Sequence, residues 1–279
     1  MGVEGVFMAE ILKVSLSNTI YLLGTFISFG LVFGYLEKLN NKFLFEALGR
    51  AGILITGFIG TIIHETGHYL MCPIFGHKVV EVKLFRPFES RNDNVLGYVR
   101  HSYDKSSLYQ TIGNFFIGIA PLIFGIIVIL ILLRILLPDS FLLIKDNLMI
   151  TKYIKSSENL RIAVILKYLV EDSFKIIKYI FFSTNVTTLR YWIFLFSMYS
   201  IVIHMSLSKA DLQGAFSGVT AIFIVIILIT FIAKIFGVSN IIEDKLVEFN
   251  IFVACFMGIG IFFSIITLGV SFILSCIFN

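Results

Sequence analysis

The chain has 279 residues, of which 58% are hydrophobic and 14% charged, with a mean hydropathy of +0.95 and a formal net charge of +4. Soluble domains carry about 25% charged residues, so this composition excludes an ordinary soluble domain and predicts an all-α polytopic membrane protein seated in a lipid bilayer. The small, dispersed positive charge suits anionic lipid headgroups rather than nucleic acid, and three cysteines without paired spacing (Cys72, Cys255, Cys276) define no disulfide framework.

Residues 1–16 contain Glu4, Glu10 and Lys13 and no small-residue cleavage site, so no cleavable signal peptide is expected. A membrane span needs about 20 apolar residues. Six stretches qualify: Asn18–Leu36, Ala51–Met71, Gly113–Leu137, Tyr191–Leu207, Ala215–Phe236 and Ile251–Phe278. Six spans put both termini on one side. They divide the chain into an N-terminal helix and linker (1–50), a second helix, a β-like segment and a middle helix (51–137), an insertion (138–190), a further core helix (191–214) and two C-terminal spans (215–279). Pro73 is placed to end the second span, because proline cannot continue the hydrogen-bond ladder.

Between the second and third spans, Val79–Phe85 and Val95–Tyr103 read as short strands separated by Arg86-Pro87 and a polar Arg91-Asn92-Asp93-Asn94 turn. A hairpin or small sheet there would offer an edge to an extended peptide; an ordinary extramembrane loop is the alternative. In 138–190, Lys167, Glu171, Lys175 and Lys178 share one helical face, with Ile165, Leu166, Leu169, Phe174, Ile177 and Phe181 largely away from it. This predicts an amphipathic helix lying in the membrane interface. Cys255 and Cys276, inside an apolar run, read as packing residues.

The chemistry-bearing motif is His64-Glu65-Thr66-Gly67-His68, near the end of the second predicted span. Two histidines four residues apart share a helix face and can grip one metal ion, with the intervening glutamate as general base. Polar packing of a helix face is the bland alternative. It is harder to sustain at membrane depth, where three ionisable groups would lack water.

A catalytic zinc usually takes three protein ligands. A histidine six residues beyond His68 is absent, since that position is Ile74, and His77 and His101 fall in the β-like segment. Asp211 follows the fourth span by about one turn and reaches the depth and side of the motif, so it is the candidate third ligand. Its other reading is a cap for the next span. His204, seven residues before Asp211, is about 10 Å away along a continuous helix. That suits a supporting or packing role.

His64-Glu65-Thr66-Gly67-His68 together with Asp211-Leu212-Gln213-Gly214 resembles the site-2 protease family of intramembrane zinc metalloproteases, over roughly residues 51–215. The family's leucine-aspartate-glycine triplet is replaced here by an aspartate with a displaced glycine. Ser208, Asp211 and Gly214 are similar to the Ser-x-x-Asp-x-x-Gly element of a divergent branch of membrane zincins. The resemblance implies a three-helix catalytic core, one Zn2+ per chain held by His64, His68 and Asp211, and Glu65 as the catalytic base. It also implies a transmembrane protein or peptide as substrate. It matches Asn114, in Gly113-Asn114-Phe115-Phe116-Ile117-Gly118-Ile119-Ala120-Pro121, to a substrate or oxyanion contact, although glycines and an asparagine also suit a helix start.

The resemblance further implies a bacterial or archaeal cell membrane with the site nearer the cytosolic face. The Lys and Arg tally of the short loops leans slightly the other way. The expected activity is hydrolysis of peptide bonds in or beside transmembrane segments. The alternatives are a membrane metal transporter or metal-binding protein, since intramembrane histidine and aspartate also line ion pathways, and a catalytically silent scaffold.

Overall fold

A computed structural model describes residues 3–149, 162–182 and 184–278. Among the described residues the regular structure is helical apart from one two-stranded antiparallel sheet. Helix α1 spans Val3–Ile74, and β1 is Lys78–Lys83. A short α2 at Ser90–Asp93 precedes β2 at Tyr98–Ser102. Then come α3 (Leu108–Leu136), α4 (Pro138–Asn147), α5 (Ile162–Phe181), a 3-10 turn (Thr184–Thr187), α6 (Leu189–Val202), α7 (Lys209–Ile235) and α8 (Ser239–Phe278).

Six spans were expected; four helices among the described residues are long and apolar enough to cross a membrane. These are Gly5–Ile74, Leu108–Leu136, Lys209–Ile235 and Met257–Phe278. The first of them takes in two expected spans. Straight, 72 helical residues would extend about 108 Å, several times the hydrocarbon thickness of about 30 Å. The tract bends at Gly49, whose φ of 60° and ψ of −153° only glycine adopts readily. Two arms result, 3–48 and 50–74, and they return to one another: Glu37 and Asn41 of the first line the same cavity as Ile53 and His64 of the second. The expected linker between the first two spans is therefore a one-residue bend.

The predicted fourth span is also corrected. Its apolar run continues to Leu207, but α6 stops at Val202 after 14 residues, and residues 203–208 form a turn. Residues 191–214 are thus not one core helix: Asp211 belongs to α7. The predicted hairpin is present, with Lys78 opposite Ser102 and Lys83 opposite Tyr98, and a register irregularity between Val79 and Glu81. The amphipathic insertion contains α4 and α5, while residues 150–161 and the side chains of Ile165, Leu166 and Leu169 lie outside those described. In α5, Ile176 and Ile180 are buried, whereas Phe174 is exposed despite its place on the predicted apolar face.

The core runs between the first arm of α1, α3, α6, α7 and α8, around Phe33, Phe115, Leu122, Ile126, Phe194 and Ile201. Buried polar groups fasten helices across it. Ser271 donates to the Asn40 carboxamide oxygen at 2.9 Å, and Tyr199 hydroxyl meets Ser271 at 2.5 Å. The outer faces of the long helices are apolar, with Leu31, Tyr35, Ile135 and Ile277 exposed, the surface expected of a protein in lipid. Cys72 is fully buried. Cys276 is exposed rather than packed, which corrects the packing reading, and the Cys255 side chain lies outside those described.

Candidate metal centre

His64 and His68 lie one turn apart on the second arm of α1, so both imidazoles leave the same face. The Asp211 carboxylate meets them from the first turn of α7. Asp211 Oδ1 is 3.0 Å from His68 Nε2, Asp211 Oδ2 is 3.5 Å from His64 Nε2, and the two Nε2 atoms are 3.2 Å apart. A tetrahedral ion with ligand bonds of about 2.0–2.1 Å separates its ligand atoms by about 3.3 Å. The three separations lie near that value, with each histidine facing a different oxygen of the carboxylate, and the donors form a group that could hold one metal ion. The expected grouping of His64, His68 and Asp211 is thus met in space, as a cluster that could hold a metal ion.

Each imidazole is held from behind by a backbone carbonyl. His68 Nδ1 donates to Ile117 O at 2.8 Å and His64 Nδ1 donates to His204 O at 2.9 Å. These bonds fix the tautomer in which both Nε2 lone pairs point at the centre. Both carbonyls are free for a sequence reason. Ile117 would normally receive the N–H of residue 121, but that residue is Pro121, inside α3, which has none. His204 lies past the end of α6, so its carbonyl has no helical donor. His204 thus acts on the site through its backbone, while its ring Nε2 meets Thr56 Oγ1 at 3.2 Å.

Asp211 is fixed by the capping box that begins α7. The Ser208 side chain accepts from Asp211 N–H at 3.1 Å, and Ser208 N–H donates to Asp211 Oδ2 at 2.7 Å. The two readings of this residue, cap and candidate metal ligand, are compatible in one carboxylate, with Ser208 as the N-cap. Close packing brings the pieces together. A Cβ at Gly118 of α3 would stand 2.9 Å from Ala215 Cβ in α7, so only glycine allows that approach. Further along the same face of α1, Ser200 Oγ accepts from Gly60 N–H at 2.9 Å and donates to Thr56 O, bridging a rung of the helix.

Two cavities of about 400 and 430 Å³ flank the centre and share His64, Glu65, Val95, Gly97 and Ser208 in their walls. Glu65 is buried at the junction. Gly97, just before β2, lies against it: a Cβ there would stand 2.8 Å from Glu65 Cγ and from Leu84 O. The larger cavity also contains Asn114, whose buried Nδ2 has no hydrogen-bond partner among the described residues, and Tyr98, Val99 and His101 of β2. Asn114 is thus brought to the site, as the sequence suggested.

The connection 84–97 is tied by Arg86 N–H to Leu96 O at 2.7 Å and by Arg86 to Asp93 at 3.0 Å. The Val95 N–H, and then Arg86, hold the Asp93 carboxyl below its ordinary range. Burial, and then His77 and His68, hold His101 below the ordinary histidine range.

The carbonyl supports, Gly97 and the pairing of His77 with His101 were not anticipated from sequence. Pro121 was the available signal for one of them, since it stands four residues after Ile117. No family model, curated protein or solved structure matches this chain.

Proposed function

We propose that the chain is a zinc-dependent intramembrane endopeptidase that hydrolyses peptide bonds in or next to transmembrane segments of other membrane proteins. The observation that carries this reading is the spacing of the His64, His68 and Asp211 donor atoms around one point, with Glu65 beside them at the junction of two cavities. Two imidazoles and one carboxylate are the donor set of a catalytic zinc, with one position open to water.

When bound, zinc supplies Lewis acidity that polarises a carbonyl and makes a water molecule a nucleophile near neutral pH. The remaining work belongs to the chain. Glu65 accepts the proton of the attacking water and passes it to the leaving amine. Ile117 and His204 carbonyls keep the two imidazoles in their ligand tautomer. Asn114 Nδ2, an unsatisfied donor in the same cavity, offers a hydrogen bond to the substrate carbonyl as it gains negative charge. β2 has a strand neighbour only on its β1 side among the described residues, and its residues line the cavity. A substrate helix unwound at the cleavage point could add to that edge.

In this reading the membrane is crossed six times, by the two arms of α1, by α3, by α6 with the turn after it, by α7 and by Met257–Phe278. The centre lies towards the cytosolic face of a bacterial or archaeal membrane. The test is comparative proteomics of membranes carrying the active chain or Glu65→Gln. Fragments cut within predicted spans should appear only with the active chain; identical fragment sets would remove the protease reading.

A further inference from the structure

The larger cavity is lined by a third histidine, His101, that the metal centre does not use, and His77 stands behind it. His77 Nε2 lies 2.7 Å from Gln110 O, an atom that can only accept, so His77 Nε2 carries a proton. His77 is buried, stacks on Tyr103 with centroids 5.0 Å apart, and forms no ion pair with a carboxylate among the described residues. In the Nε2–H tautomer of an imidazole, Nδ1 is an acceptor. Its partner at 2.9 Å is His101 Nδ1, which must therefore donate. This chain of two bonds leaves His101 Nε2 as a bare lone pair. His101 lines the cavity with His64, Glu65, His68, Asn114 and Asp211, and its Nε2 has no hydrogen-bond partner among the described residues.

Among the described residues, an acceptor, His101 Nε2, and a donor, Asn114 Nδ2, stand on this cavity without a hydrogen-bond partner. Those are the complements of a peptide unit, which has one N–H and one C=O. A transmembrane helix that unwinds loses its internal bonds, and its freed N–H groups need acceptors in a poorly hydrated site.

We propose that His101 is a substrate-contacting residue, presented by His77, which accepts a hydrogen bond at Nε2 from a backbone N–H of the unwound substrate segment. His77 is a positioning residue that acts only through His101. This inference rests on the protease reading and specifies the form of substrate the site recognises, an extended backbone rather than a helix.

The test uses the full chain carrying Glu65→Gln, zinc-loaded, in nanodiscs of phosphatidylethanolamine and phosphatidylglycerol. The probe is a fluorescein-labelled single-span peptide with a central Gly-Pro helix break. His101→Asn keeps a donor towards His77 and removes Nε2, and His77→Phe keeps the stack on Tyr103. His101→Asn should weaken probe binding about tenfold, near the upper end for one hydrogen bond. His77→Phe should weaken it less, the double variant should bind no worse than His101→Asn alone, and zinc content should not change.

Nitrogen-15 spectra of histidine-labelled protein without either substitution should give His101 as the Nδ1–H tautomer. Unchanged binding in His101→Asn, additive losses in the double variant, or an Nε2–H tautomer would each overturn the proposal. A zinc-loaded Glu65→Gln chain that binds no probe would instead overturn the protease reading, and this proposal with it.

Discussion

His68 is held by a carbonyl that Pro121 sets free. The Nδ1–H of His68 donates to Ile117 O at 2.8 Å, and Ile117 has no helical donor because the residue four positions on lacks an N–H. A proline that weakens α3 locally therefore orients a candidate metal ligand on α1. Pro121→Ala restores an N–H that competes with His68 for this carbonyl. Supporting hydrogen bonds of this kind are worth about 10–100-fold in metal affinity. Chelator competition should show a loss in that range, with thermal stability unchanged or raised. An unchanged affinity would mean the carbonyl does not matter to the site.

Asp211 caps a helix and faces the two histidines at once, and the two roles separate in Asp211→Asn. Asparagine can still accept the Ser208 N–H, so α7 should form and the protein should fold. The negative ligand is gone, and zinc measured by plasma mass spectrometry should drop well below one per chain. Ser208→Ala removes one capping bond and should cost about 1 kcal/mol of stability while keeping zinc. Stoichiometric zinc in Asp211→Asn would point to a different third ligand.

The closeness of Gly97 to Glu65 predicts a defect centred on Glu65, the proposed general base. In Gly97→Ala the added methyl cannot fit against Glu65 Cγ and Leu84 O without moving the 84–97 connection. Overpacking of this kind costs about 1–3 kcal/mol. Cleavage should fall at least tenfold with zinc retained; full activity would show that the connection yields without disturbing Glu65.

Order in that same connection should depend on acid. Asp93 is held below its ordinary range by the Val95 N–H and by Arg86, so its native contacts are fully present above the unfolded carboxylate range, near pH 4. They are lost as pH falls through the lower folded value. Hydrogen exchange of residues 86–97 should quicken below about pH 4, and Asp93→Asn should show the quicker rate already at pH 7. Equal rates in the two proteins at pH 7 would contradict this.

Much of the site was legible because its signals are local. The four-residue spacing of His64 and His68 and the depth of Asp211 needed no tertiary information, and the strand pattern of 79–85 and 95–103 survives folding as β1 and β2. What sequence hid is set by where helices stop. The run to Leu207 stays apolar through Val202 with no glycine or proline, so hydropathy could not place the end of α6 or the freed carbonyl of His204. The contact of His77 with His101 depends on a hairpin register that shifts between Val79 and Glu81, where alternation alone gives no pairing. Gly49 carried the bend of α1, but a lone glycine between two apolar runs does not distinguish a bend from a linker.

The central claim is that Glu65, beside a zinc held by His64, His68 and Asp211, drives water onto a peptide bond in the membrane. The direct measurement is mass spectrometry of a purified single-span protein substrate after incubation with the reconstituted chain in 18O-labelled water. The account predicts two fragments whose junction lies in or next to the span, one 18O atom in the new carboxylate, and no fragments with zinc-loaded Glu65→Gln. Cleavage by Glu65→Gln at the unsubstituted rate, or fragments without the label, would contradict it.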